Sequence, residues 1–376
     1  MININNNQAL LGFSYFTKIG PQKIKLLEKY FLEARFAFIA SSERLEKAGL
    51  RTRLVNEFIA WRKNVDLKEI EDSLKDQNIC YITWHDINYP GILKEIYNPP
   101  FIIYYKGSIN IFAKLFSNRL AIVGSRKHSA YAEKILNTFL PTLINNDIEI
   151  VSGLALGVDS LAHRICLKNR GLTIAVLGSG LKRENIYPTL NYSLSQEIIN
   201  NNGLLISEFS PQTQPLKQNF PQRNRIISGL CQATFIVEAK EKSGALITAF
   251  HALEQNREIM TTPGNIFSDF SLGPNKLIKM GAKVITSADE ILDFFKIENY
   301  ITSPIYSKTN RKIELNNQNE KNIYKIIKEA SERSEKISAD EITRIAKLDT
   351  SVINSTLSIL ELRGIAKNDE LGYYIN

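Results

Sequence analysis

Cysteine is scarce in this chain, and the three it has, Cys80, Cys166 and Cys231, lie far apart. No CxxC pair is present. That excludes the usual zinc spacing and a disulfide framework, and it is the usage expected in a reducing cytosol. Long apolar runs are missing too, so no segment reaches the ~20 residues a membrane-spanning helix needs. The first residues, MININNNQALLGF, have no basic stretch ahead of an apolar core, so no signal peptide is expected. There is no acidic excess: 47 Lys and Arg face 39 Asp and Glu, a formal net charge of +8. That sign is compatible with a nucleic-acid partner without establishing one.

Several signatures of cofactor binding and catalysis are also absent. The strict G-x-G-x-x-G pattern is not found. GSGLKR at 178–183 has two of its glycines and then a bulky, charged continuation, and the strand IEIVSG runs into LALG at the wrong spacing. TIAVLGSG ends in glycine, where a ribose-binding acid would be needed, which disfavours a nicotinamide cofactor. No G-x-x-x-x-G-K-[ST], HExxH, G-x-S-x-G or cysteine–histidine arrangement occurs.

What the chain does have is an ordinary globular balance, with 44% apolar and 23% charged residues, and length for two or three domains at 376 residues. Residues 1–75 read as a helical domain. Within it, FTKIGPQKIKLLEKYF resembles half of a helix-hairpin-helix element, and an ordinary helix start accounts for the same Gly20-Pro21. Residues 76–297 alternate short apolar runs (CYITW, FIIYYKG, LAIVGS, IEIVSG, TIAVLGS, LLISEF, TFIVEA, EIMTTPG, KVIT) with amphipathic helical stretches. Near-continuous apolar strands between helices indicate a parallel sheet covered on both faces. The expected class is therefore α/β: a Rossmann-like, doubly wound, mostly parallel sheet. A polar linker at 298–318 carries Pro304. Residues 319–376 then read as three helices and a hairpin, the order of a winged helix. Ser338 is an expected N-cap, Asp349 or Thr350 opens the third helix, and Gly364 ends it.

In a doubly wound sheet, ligands sit beyond the carboxyl ends of the strands. The loops there share a character. LAIVGS is followed by Arg126, with Gly124 and Ser125 at the turn. Gly153 and Gly157 bracket the turn after IEIVSG. Lys182-Arg183 follow TIAVLGSGL, and Lys240 and Ser243 follow TFIVEA. Small residues at a helix start together with a cation make an anion site. The long loop after LLISEF ends in NFPQRNRIISG, where Phe220 precedes Arg223-Asn224-Arg225. Residues two apart on a helix do not share a face. One of the two arginines is therefore expected to turn inward, and the sequence does not say which. Asp159 and His163, four apart, admit a catalytic pair, though a local ion pair or a packed histidine is the more usual reading.

Taken in order, AIVGSRKHSAYA, VSGLALGVDSLAHR, AVLGSGLKRENIYPTLN, GLLISEFSP, FPQRNRIISGLCQATFIVEAKEKSGALITAFHA, TTPGN and LGPNKLIKMGAKVIT resemble the DNA-processing protein A (DprA/Smf) family over about residues 80–297. The resemblance implies a cytoplasmic protein that binds single-stranded DNA (ssDNA) without cutting it. It also implies a homodimer formed through the Rossmann-like domain, protection of incoming strands during natural transformation, and loading of the RecA recombinase. No metal or cofactor is implied. By position, the implied DNA-binding residues are Gly124, Ser125, Arg126, Lys217, Phe220, Arg223, Asn224, Arg225, Lys240 and Ser243, to which the loop reading adds Gly153, Gly157 and Lys182. Two rival readings are an N-glycosidic nucleotide hydrolase, for which KSGALIT and TTPGN lack the expected glycine pattern, and a transcription regulator acting through the winged helix. Residues 301–376 hold twelve Lys and Arg against eleven Asp and Glu, a poor footprint for duplex binding.

Overall fold

A computed structural model describes residues 4–113, 117–302, 317–332, 336–362, 365–369 and 372–374. Two compact units divide the chain, Met1–Thr302 and Ser303–Asn376.

The first unit begins with six helices: α1 (Asn6–Tyr15), α2 (Pro21–Phe31), α3 (Ala34–Ile39), α4 (Ser42–Lys47), α5 (Thr52–Arg62) and α6 (Leu67–Asp76). Local chemistry sets their starts. Asn5 and Gln8 form a reciprocal capping box on α1, and Asp66 accepts from two backbone amides at the start of α6. Gly20-Pro21 is the opening of α2, with Gly20 extended as N-cap. Phe13 packs 5.1 Å from Phe58 and 5.2 Å from Phe38, ring centre to ring centre, at the heart of this layer. The helices are tied to the sheet: the Thr83 hydroxyl donates to Asn7 Oδ1 at 2.8 Å. The boundary expected near residue 75 thus falls at the end of α6, inside one compact unit.

All nine apolar runs read as strands are strands: β1 (Cys80–Thr83), β2 (Ile102–Gly107), β3 (Arg119–Val123), β4 (Glu149–Ser152), β5 (Thr173–Val176), β6 (Leu204–Ser207), β7 (Ala233–Ile236), β8 (Glu258–Thr261) and β9 (Lys283–Val284). They form one sheet in the order β1-β2-β6-β5-β4-β3-β7-β8-β9. The stretch from β6 to β9 is parallel, whereas β2 joins β6 antiparallel and β1 joins β2 antiparallel. The expected mostly parallel α/β sheet is thus observed. The connecting helices are α7 (Gly91–Lys94), α8 (Asn110–Ala113), α9 (Ala130–Asn145), α10 (Val158–Lys168), α11 (Tyr192–Asn200), α12 (Asn219–Gly229), α13 (Gly244–Glu254), α14 (Leu272–Lys279) and α15 (Ala288–Thr302).

Strand periodicity divides the core between two faces. In β3, Leu120 and Ile122 enter one apolar cluster with Leu136 and Leu140 of α9 and Ala162 of α10. Ala121 and Val123 enter the other, with Ile226 and Ile227 of α12 and Leu246 of α13. Each fully buried aliphatic side chain contributes about 1.5–3 kcal/mol, so a strand buried on both faces is held firmly. The chain builds outward from β3 to β6 and then crosses back to place β7 on the other side of β3. Strand order therefore reverses between β3 and β7. Loops leaving those two strands diverge, and a crevice opens at their carboxyl ends.

The second unit holds α16 (Gln318–Glu332), α17 (Ala339–Ala346) and α18 (Thr350–Leu362), then an antiparallel hairpin of β10 (Lys367–Asp369) and β11 (Gly372–Tyr374). Ser338 caps α17 in a reciprocal box with Glu341, as expected. Ile327, Ile342, Ile353 and Leu357 form its core. Pro304 and Gly364 lie outside the described residues.

Candidate functional site

The crevice between β3 and β7 is shaped by glycines that let backbones meet. A Cβ at Gly124 would lie 2.6 Å from a Val158 methyl carbon, and one at Gly157 only 2.2 Å from the Ser125 carbonyl oxygen. Gly157 also has φ +81°, which side chains rarely adopt. With both Cβ atoms absent, the start of α10 presses against the loop after β3, and the Val158 amide donates to Ser125 O at 3.1 Å. The Ser125 amide in turn donates to Glu238 O at 2.8 Å, joining the loops after β3 and β7. Arg126 is left exposed at the rim.

The motif NFPQRNRIISG forms the whole of α12 and supplies the opposite wall. Phe220 is half-buried, its ring against the space a Cβ of Gly178 would fill. Arg126 stands 5.9 Å from its centre, Arg223 6.0 Å, and the Tyr187 ring 5.7 Å at a 54° tilt. Arg223 is buried, donating from Nη1 to Gly153 O at 2.8 Å and to Val176 O. Gly153 makes room for it: a Cβ there would sit 2.8 Å from Arg223 Nη2 and 2.7 Å from Asp159 Oδ2. Burial draws the Arg223 pKa down to about 10, with Asp159 opposing the shift, so the guanidinium stays charged at neutral pH. The Asp159 carboxyl is pushed up by its own burial, against the pull of Arg223 and of the amides of Ala155 and Gly153.

From the β7 side, Ser243 caps α13 by accepting from the Ala245 amide at 3.3 Å. Asn224 reaches across from α12 to Gly244 O at 3.3 Å. The N-terminus of an 11-residue helix thus opens into the cleft beside exposed Lys240 and Lys242. The cleft has a volume of about 710 Å³.

Of the thirteen residues singled out in the sequence, the cleft gathers Gly124, Ser125, Arg126, Lys217, Phe220, Arg223, Asn224, Lys240 and Ser243. Gly153 lines an adjoining recess beside Tyr187 and Pro188. The remaining three lie elsewhere. Gly157 is buried behind the β3 loop, where it acts through the backbone contact described above. Lys182 begins a short 3₁₀ turn with its amide on Pro211 O at 3.3 Å and does not line the cleft. Arg225 points away from the cleft, to Glu208, and both side chains are less than a tenth exposed. The reason is geometric: at 3.6 residues per turn, side chains two apart diverge by ~200°. Both arginines are buried, and only Arg223 meets the cleft.

Among the liners not singled out as ligand residues are Lys242, Tyr187 and Asp159. Lys242 was legible as the second cation of KEKSG, and Tyr187 as an aromatic beside a turn proline. Asp159 does not pair with His163. His163 is a packed histidine hydrogen-bonded to Thr173 at 2.7 Å, and burial takes its pKa down to about 3. Thr261 and Thr262 spend their hydroxyls on Ile236 O and Val237 O. Among the described residues, no His, Cys, Asp and Glu group could hold a metal ion, and no helix is long and apolar enough to cross a membrane.

A family model, DNA recombination-mediator protein A, matches residues 80–296. DNA processing protein DprA of Bacillus subtilis is 40% identical over 227 residues, 60% of this chain and 75% of that protein. Its Streptococcus pneumoniae counterpart is 36% identical over 279 residues, 67% of this chain and 96% of that protein. Among solved structures, DNA processing protein A from Streptococcus pneumoniae matches with a TM-score of 0.66 at 33% identity, over 78% of this chain and 98% of that one. The Helicobacter pylori protein, described by its single-stranded DNA binding mode, matches with a TM-score of 0.52 at 30% identity, over 58% of this chain and 96% of that one.

Proposed function

Because the chain belongs to the DNA recombination-mediator protein A family, we propose that it binds ssDNA without regard to sequence in the cytoplasm. In this reading it shields incoming strands during natural transformation and loads the RecA recombinase onto them, catalysing no reaction itself and using no cofactor. The observation that carries the proposal is the cleft at the strand-order reversal. There, exposed Arg126, Lys217, Lys240 and Lys242 surround the half-buried Phe220.

The mechanism follows from what a single strand exposes. Its phosphates exchange counterions for the rim cations and meet the positive end of the α13 dipole. An unpaired base stacks on Phe220, worth about 1–3 kcal/mol, and every base has a π-face, so binding is indifferent to sequence. Arg223 is fixed by two backbone carbonyls, so it presents charge beneath the ring without losing side-chain freedom on binding. Gly124, Gly153 and Gly157 shape the loops, and Arg225 braces α12. Lys182 has no part in the cleft in this assignment.

A homodimer is supported by exposed Ile247, Phe250 and Leu253 on α13; Phe250 and Leu253 line one recess with exposed Met280, just ahead of the edge strand β9. We read the six N-terminal helices as the family's accessory helical domain, and α16–α18 with their hairpin as a winged helix. The near-even charge of residues 301–376 favours protein contact over duplex recognition for the latter.

The test is an equilibrium gel shift with single- and double-stranded DNA at two salt concentrations, with and without RecA. Preference for single strands, weakening with salt, and faster RecA filament formation are expected. Equal affinity for duplex would contradict the reading, and release of free base from a nucleoside monophosphate would favour a hydrolase instead.

A further inference from the structure

The loop from Gly264 to Ser271, which joins β8 to α14, places an aromatic side chain in open solvent. Phe267 is 91% exposed and its neighbour Ile266 72%. Exposure of two large apolar side chains at one loop tip forgoes about 1.5–3 kcal/mol of burial for each at most, and this tip is held in place. The Phe267 amide donates to Asn265 Oδ1 at 2.9 Å, and the Ser268 amide to Asn265 O at 3.0 Å. The base of the loop is fastened to the end of β7: the Ala239 amide donates to Phe270 O at 2.9 Å, and the Gly273 amide to Ala239 O at 2.8 Å.

The same loop touches the cleft. Lys240, a cleft liner, lies 3.1 Å from Asp269 Oδ2 and 5.3 Å from the centre of the Phe270 ring. Phe267 is therefore two residues from a direct contact with the rim, on the side where Lys240 and Lys242 supply positive charge. The sole acid of the loop, Asp269, is answered by Lys240.

We propose that Phe267 is a second stacking platform for ssDNA, taking a base of the strand after it leaves the Phe220 cleft past Lys240 and Lys242. The proposal rests on the strand-binding reading and adds the direction in which the strand runs. Charge complementarity and continuity with the cleft single out nucleic acid as the occupant. Stacking needs an aromatic face, which separates it from a general apolar contact.

Strand affinity is measured with fluorescent deoxythymidine strands of about 4 and about 16 nucleotides, the span of known single-strand site sizes. Phe267→Ala weakens the longer strand about fivefold or more, the effect of losing ~1 kcal/mol or more of stacking, and leaves the shorter one unchanged. Phe267→Trp keeps full affinity, and its added emission is quenched by the long strand. Phe267→Leu behaves as the alanine variant. Three results would overturn the proposal: no loss on Phe267→Ala, full affinity of Phe267→Leu, or a changed oligomeric state by light scattering with strand affinity intact. The last would assign the tip to a contact between copies of the chain. Failure of the unaltered protein to bind any strand would sink the strand-binding reading itself, and the proposal with it.

Discussion

The cleft rim and the layer beneath it use ionisable side chains to different ends. At the rim, Arg126, Lys217, Lys240 and Lys242 are exposed. One layer down, Arg223, Arg225, Asp159, Glu208 and His163 are all buried. A hydrated cation loses little when it trades water for phosphate, and salt screens it. A buried charge is committed: removing its partner leaves an ion with nothing to offset its desolvation. The rim should therefore govern affinity and salt dependence, and the buried layer should govern stability and the shape of the cleft.

The largest expected effect lies in the buried layer. Arg225→Ala strands Glu208 and should cost about 3–5 kcal/mol in denaturant unfolding, while the folded fraction binds DNA as before. Arg225→Met combined with Glu208→Leu should recover most of that loss. If Arg225→Ala instead abolished binding without loss of stability, the division between the two layers would fail.

Next in size is a pH effect at His163. Its folded pKa is about 3, below the ordinary value of 6.5, because burial disfavours the charged form. The depressed folded pKa makes its contribution complete above pH ~6.5. As pH falls below that, the unfolded chain takes up a proton that the folded one refuses. Stability then declines by about 1.4 kcal/mol per pH unit until the folded pKa is reached. Unfolding curves of His163→Gln should lack this component when compared with the unaltered protein between pH 6.5 and about 4.5.

Phe220→Ala should weaken strand binding by about 1–3 kcal/mol in fluorescence anisotropy, with a smaller stability change than Arg225→Ala. Asp269→Asn should have the smallest effect. It frees Lys240 from a pair exposed on both sides, and strengthens strand binding by less than about 1 kcal/mol at low salt.

The rim was more legible in the sequence than the layer below. All nine strands could be read from apolar runs, and a parallel sheet fixes where its ligand loops gather. Gly124 and Gly153 were visible at those loops, though what their missing Cβ atoms make room for, Val158 and the Arg223–Asp159 neighbourhood, was not. Helical spacing foretold that Arg223 and Arg225 would part. Which one met the cleft depended on Glu208, a partner 17 residues upstream, just after β6. Lys182 is not among the cleft liners for a related reason: order along the chain puts it beyond β5, but the backbone there is tied to Pro211 through the Lys182 amide. The cation nearest the capped helix, Lys242, was passed over although it stands beside Lys240, because a run of alternating charges reads equally well as a solvated turn.

The most direct test of the account is the salt dependence of ssDNA affinity for the triple variant Arg126→Ala, Lys240→Ala, Lys242→Ala, set against Arg225→Ala. Each phosphate that the protein no longer neutralises should lower the slope of log affinity against log salt by about 0.7. The slope of the triple variant should therefore fall by about 2 at unchanged unfolding stability, and Arg225→Ala should keep the full slope at reduced stability. An unchanged slope in the triple variant, or a slope abolished by Arg225→Ala, would contradict the cleft as the strand-binding surface.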